Sequence, residues 1–163
     1  LLSCGRTKIA HISGDPGYAA ARDRLDGATE RLSEAGLTLC ADPMFSEWTE
    51  HWGRDASAML LERYPDIDGI FCGSDQIARG VLDTARDRGR SVPDDVAVIG
   101  YDNWQVLSTN SRPELTSVDA NLEELGRQAA RRIFEAIDGV DIGAGTVHLP
   151  VRLVIRGSTI ARR

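Results

Sequence analysis

Between Gly69 and Asp102 the hydrophobic period of the chain changes twice, and this stretch restricts the fold more than any other. Gly69-Ile70-Phe71-Cys72 is a short apolar run, and its length and its β-branched and aromatic content predict a buried strand. Gly73-Ser74-Asp75 breaks it. From Gln76 onward, Ile77, Val81, Leu82 and Ala85 recur at three- and four-residue spacing, as on one buried face of a helix. Ser74 or Asp75 is the expected N-cap, its side-chain oxygen accepting an otherwise orphaned amide hydrogen. Gly89 is a natural stop and Pro93 bars continuation. A second apolar run, Val96 to Gly100, ends at Tyr101-Asp102. Strand, helix and strand joined by short turns make a right-handed βαβ unit with parallel strands. Ser74, Asp75 and Asp102 therefore fall at carboxyl ends of parallel strands, the edge where doubly wound sheets hold ligands.

The segment before this unit repeats the same rhythm. Residues 8–12 read as a further strand, followed by the breaker cluster Ser13-Gly14-Asp15-Pro16-Gly17. A helix over residues 18–35 is predicted, with Ala21, Leu25, Ala28, Leu32 and Ala35 inward and Gly36 at its end. The Gly-rich turn has neither the GxGxxG nor the GxxxxGK[ST] spacing, which argues against a phosphate cradle. Arg22, one turn into the helix, is either a fork of donors for an oxygen-rich ligand or a surface partner of Asp23 or Asp26. Residues 37–40 suggest a short strand. A helix over residues 49–63 is expected to bury Ala56, Met59, Leu60 and Tyr64. Trp48 stands at its mouth, where its flat face suits the C–H side of a sugar or the plane of a base, and where it can equally serve as packing. Trp52 reads as core or as a subunit contact.

After Asp102 the pattern loosens. Residues 103–113 have no steady period and read as a crossing segment, and residues 114–118 as another short strand. Asn121 is placed to cap a helix striped by Leu122, Leu125, Ala129, Ile133 and Ile137, ended by Asp138-Gly139. Residues 147–155 form a last extended stretch, with Val151, Leu153 and Ile155 alternating against Arg152 and Arg156 to suggest one wet face. Pro150 confines that point to an edge or a crossing.

Composition narrows the function classes. A chain of 163 residues with 42% hydrophobic content can bury one principal core. Its net charge of −6 supplies no general basic field for a phosphate backbone, so direct nucleic-acid contact by this piece is disfavoured. The Arg-rich stretches at 86–90 and 127–132 read as solvated faces. Cys4, Cys40 and Cys72 are far apart and in no metal-ligand spacing, which fits reduced buried thiols in a cytoplasmic protein and implies no metal site. No stretch approaches the roughly 20 apolar residues of a membrane span. Leu1-Leu2 is too short for a signal peptide and reads as the tail of a preceding element.

FCGSDQIARGVLDTARDRGRSVPDDVAVIGYDN resembles the corresponding stretch of LacI/GalR-family transcriptional regulators. The likeness runs back through GRTKIAHISGDPGYAAARDRLDGATERLSEAGL and on through RPELTSVDANLEELGRQAARRIFEAI to LPVRLVIRGST, so it spans nearly the whole chain. It implies an α/β fold: a doubly wound parallel sheet flanked by helices, a flavodoxin-like lobe of the type I periplasmic-binding-protein kind. It also implies the distal half of an effector core. Residues 6–108 would be its second lobe, 113–140 a crossover strand and helix belonging to the first lobe, and 146–158 a final strand returning to the second.

For the site, the resemblance implies Tyr18 and Arg22 as contacts from the first helix, Trp48 as the stacking aromatic, and Asp102 as the acceptor in the G-[YF]-D motif. Ser74 stands where some members carry an asparagine. Leu122 is a weaker candidate for a pocket wall, and Asp75 is assigned to capping. The expected partners are a small-molecule effector, a sugar or related polyol with a purine as second choice, and a second copy in a homodimer. DNA would be met only through a headpiece absent from this chain. No cofactor and no catalysis are expected. Two other readings stand beside this one: a solute-binding protein of an uptake system, and an enzyme using Asp75 and Asp102 as a carboxylate pair. The second is disfavoured because His11, His51 and His148 form no constellation with them.

Overall fold

In the computed structural model, which describes residues 1–160, the two strands read from residues 69–102 lie side by side. Strand β3 (Gly69–Cys72) pairs in parallel with β4 (Ala97–Tyr101), Gly69 opposite Ala97 and Phe71 opposite Ile99. Helix α3 (Asp75–Asp87) connects them, and the four residues predicted to face inward, Ile77, Val81, Leu82 and Ala85, are all buried. Ser74 is the N-cap, its hydroxyl accepting the Ile77 amide at 3.3 Å, and Gly89 takes the left-handed conformation just past the helix end.

The remaining strands extend this pair in both directions. Strand β1 (Ile9–Ser13) pairs in parallel with β3, and β2 (Met44–Phe45) lies outside β1. Strand β5 (Thr116–Asp119) runs parallel to β4, and β6 (Arg152–Val154) closes the edge antiparallel to β5. The order is β2-β1-β3-β4-β5-β6. The expected doubly wound parallel sheet forms, with β6 antiparallel at its edge.

Successive residues of a strand face opposite ways, and the two faces are finished differently. Ala10, Ile12, Ile70, Cys72 and Val98 join Ala56, Leu60, Ile77 and Val81 in the main core, beneath α2 (Glu50–Arg63) and α3. Each fully buried Ile or Val there stabilises the fold by roughly 1.5–3 kcal/mol. Helices α2 and α3 approach through glycine: a Cβ on Gly53 would strike the Ile77 carbonyl, and one on Gly80 the Glu50 carbonyl. Helix α1 (Ala19–Glu34) lies on the other face, near Ile9, Phe71 and Ile99, and buries Ala21 and Leu32.

Several local expectations fail for identifiable reasons. Residues 37–40 are not a strand: Cys40 gives one amide bond to Ile9, and the ladder resumes only after Pro43, which has no N–H to donate. Met59 points to solvent instead of the core. Asn121 makes no capping bond with its side chain; its own amide donates to Asp119 at 2.8 Å. Strand pairing in the last stretch is limited to residues 152–154, and Val151, Leu153 and Ile155 are all exposed, so β6 has no dry face. Helix α5 (Leu122–Ile137) buries none of its residues.

Candidate ligand-binding rim

The carboxyl ends of β1, β3 and β4 and the loop after β2 meet at one rim. Trp48, in that loop, lays its indole over the backbone of Gly14 so closely that a Cβ on Gly14 would enter the ring. Glycine is required there for the approach itself. Tyr18, the N-terminal flanking residue of α1, is 61% exposed, and its ring meets that of Trp48 edge to face at 6.4 Å. Trp52, one helical turn beyond Trp48, is tied inward, its indole N–H donating to the Ser13 carbonyl at 2.9 Å.

The guanidinium that reaches this rim belongs to Arg24. It lies 5.6 Å from the Trp48 ring centroid and 3.7 Å from that of Tyr101, donates to the Gly73 carbonyl at 2.6 Å, and stands 3.7 Å from the Asp102 carboxylate. Arg22 is exposed, and its guanidinium donates instead to the Pro16 carbonyl. The structure therefore does not bring Arg22 to Trp48 and Asp102. The reason is helical geometry: Arg24 is three residues from Ala21 and four from Ala28, on the inner shoulder of α1, whereas Arg22 is rotated outward. That spacing was the signal in the sequence that could have pointed to Arg24.

Asp102 follows the last residue of β4 and has φ 104°, with Asn103 next to it at φ 52°. Two consecutive non-glycine residues at positive φ are unfavourable and persist only where surroundings hold them. Here the hold is a buried relay. Asp75, 1% exposed, accepts the Ser117 hydroxyl at 2.6 Å and the Trp104 amide at 2.7 Å, while the Ser117 oxygen accepts the Asn103 amide at 2.9 Å. Asp75 thus neither caps α3 nor lines the rim; it fastens the turn that presents Asp102.

Burial pushes the Asp75 carboxyl up to about 6, against the opposing hydrogen bonds of Ser117 and Trp104. Asp102 is raised as well, by burial, with Arg24 holding it back. Ser74 is 4% exposed and its hydroxyl oxygen is engaged by the Ile77 amide. Of the five residues singled out from the sequence, Tyr18, Trp48 and Asp102 gather at the rim around Arg24, while Arg22 and Ser74 are occupied elsewhere.

The arrangement can hold a hydroxylated molecule: a planar donor fork, a carboxylate acceptor and a flat apolar face converge. Nothing in it forms a nucleophile–base pair. A rim of this kind on a doubly wound lobe is that of a binding protein, and the comparisons agree. Residues 1–159 match the family described as periplasmic binding protein-like domain, and the chain belongs to it. The HTH-type transcriptional regulator CelR of Thermobifida fusca is 35% identical over 99% of this chain and 46% of its own length. The ribose operon repressor of Halalkalibacterium halodurans is 33% identical over 98% of this chain and 47% of its own. Among solved structures, a transcriptional regulator CelR–cellobiose complex superposes with a TM-score of 0.88 at 34% identity, covering 97% of this chain and 48% of that one. The lac repressor dimer bound to operator and the anti-inducer ONPF does so with a TM-score of 0.91 at 27% identity, covering 99% and 55%. The resemblance to LacI/GalR regulators is thereby borne out, and these relatives are regulators, not enzymes or uptake proteins. The chain spans about half the length of the curated relatives it matches.

Proposed function

We propose that this chain is the sensing part of the effector-binding core of a LacI/GalR-type transcriptional regulator, and that it holds a small sugar-like molecule without transforming it. The observation that carries this reading is the convergence of Arg24, Trp48 and Asp102 at the carboxyl edge of the sheet. A buried hydroxyl without a partner costs about 1–3 kcal/mol, so a polyol needs such donors and acceptors, and its C–H face needs the indole. The similarity to a regulator solved with cellobiose supports a saccharide over a purine.

In this reading residues 6–108 form one lobe, 113–140 cross to another, and 146–158 return. The unburied stripe of α5 supports the crossing, since a helix with exposed Leu125, Ile133, Phe134 and Ile137 is built to be covered. Ligand would favour the closed arrangement of two lobes by its difference in affinity for the two states. The regulator would act in the cytoplasm as a homodimer, similar to the lac repressor dimer bound to operator, and would meet DNA through a headpiece outside these residues.

The test is a ligand-observed NMR titration of the chain with glucose and with adenosine at millimolar concentration. Saturation transfer to glucose, lost in Asp102→Ala and Trp48→Ala, is the expected result. Transfer to adenosine but not to glucose would overturn the saccharide assignment.

A further inference from the structure

Beyond Asp102 the rim does not end. A cavity of about 660 Å3 opens there, walled by Asp102, Asn103, Trp104, Gln105 and Leu122. Asp102 is shared: one side of it faces the Arg24 guanidinium, and it also lines this second space. The volume is in the range that holds drug-sized ligands and exceeds what one hexose ring needs.

Trp104 is the feature that demands an explanation. It is 54% exposed, and Leu122 in the same cavity wall is 60% exposed. Set together in one concave wall, the two side chains give an occupant a joint apolar surface to cover. Its backbone, by contrast, is fixed. The Trp104 amide donates to the buried Asp75 carboxylate at 2.7 Å, and its carbonyl accepts the Leu107 and Ser108 amides that begin helix α4 (Gln105–Ser108). The turn leading into it runs through the two positive-φ residues, Asp102 and Asn103. A strained turn held by a buried carboxylate, carrying an exposed indole two residues from the rim's acceptor, is a built platform.

The chemistry of the wall says what it takes. A flat apolar face from Trp104, an apolar side from Leu122, and polar groups from Asp102, Gln105 and Glu123 offer partners to both the C–H faces and the hydroxyls of a pyranose, while the Asn103 side-chain amide is spent on Asp119 and Arg156. We infer that Trp104 forms a second sugar subsite continuous with the first, so that the effector is a saccharide at least two rings long, lying past Asp102 from Trp48 to Trp104. This rests on the saccharide reading above and extends it.

The chain has three tryptophans, and their indole N–H signals serve as separate reporters. In 15N-edited spectra, glucose should shift the Trp48 signal, cellobiose should shift those of Trp48 and Trp104, and the Trp52 signal, bonded to Ser13, should stay in place. Cellobiose should bind about tenfold more tightly than glucose, the scale of one added aromatic stacking contact. In Trp104→Ala that ratio should fall to about one, and Trp104→Phe should restore part of it. An unmoved Trp104 signal at saturating cellobiose, with Trp48 responding, overturns the second subsite and leaves the first. If neither sugar moves Trp48, the saccharide reading itself fails and this inference with it.

Discussion

The Arg24 guanidinium and the Asp102 carboxylate stand 3.7 Å apart, joining the second turn of α1 to the end of β4 across the rim. The pair is only half-buried, so its worth to the fold is small. Its consequence is electrostatic: Arg24 counters the upward push that burial exerts on Asp102. In Arg24→Ala the Asp102 pKa should rise further, read from the side-chain carboxyl carbon in a pH titration, and sugar affinity should drop by about tenfold or more. Arg22→Ala should leave both within error, because its guanidinium is spent on the Pro16 carbonyl.

Gly14 should tolerate no side chain. A Cβ there occupies the position of the Trp48 indole, so Gly14→Ala must displace the ring from the rim. Ligand binding should be lost, and because Trp48 also packs against the edge of the main core, the Tm should fall by a few degrees with the fold retained. Gly80→Ala should lower stability and spare binding. Its Cβ would meet the Glu50 carbonyl and the Arg54 amide, backbone atoms that cannot step aside. Prising α2 from α3 should cost roughly 1–3 kcal/mol, a fall in Tm of several degrees, without touching the rim.

Two buried groups pull stability in opposite directions over the same pH range. Asp75 has its pKa raised from 3.8 to about 6, so its contribution is present at low pH and lost as pH rises through that window. His11, fully buried with Nδ1 at 3.0 Å from the Phe71 carbonyl, is lowered from 6.5 to about 4, chiefly by burial. Its contribution is present above 6.5 and lost as pH falls. Each spans about 3 kcal/mol at most, so they largely cancel between pH 4 and 6.5. Asp75→Asn should unmask the His11 branch, and urea midpoints should fall on acidification more steeply than in the native chain. His11→Gln should unmask the other branch, with midpoints rising on acidification.

Legibility in the sequence followed the sharpness of the period. The β3-α3-β4 unit could be read almost to the residue because Ile77, Val81, Leu82 and Ala85 all face one core. The strand assigned to residues 37–40 failed because a short apolar run carries no information on whether its amides find a ladder, and Pro43 interrupts this one. At the rim, Trp48 and Asp102 were recognisable from their junction positions and from the resemblance. Arg22 and Arg24 both lie near the strand end, and only their rotation about α1 separates the one that reaches Asp102 from the one that bonds Pro16. Trp104 carried no pattern at all: its role follows from the Asp75 relay, which joins positions 29 and 42 residues apart.

Helix α5 offers the last measurement. It has Glu123 and Glu124 in its first turn and Arg127–Glu123 and Arg131–Glu135 ion pairs along its side, yet none of its residues is buried. Surface pairs of this kind contribute about 0.3–0.5 kcal/mol each, and an isolated helix of this length is marginal in water. Most helical stability in proteins comes from a packed apolar face, and here Ile133, Phe134 and Ile137 stay largely exposed. In hydrogen exchange at low protein concentration, the α5 amides should therefore exchange orders of magnitude faster than those of α3, whose Ile77, Val81 and Ala85 are fully buried. Raising the concentration should slow α5 alone if a second copy covers its stripe, and Phe134→Glu should abolish that slowing. Protection of α5 equal to that of α3 at every concentration would mean that the helix is held by its own chain, and the assignment of residues 113–140 to another lobe would fall.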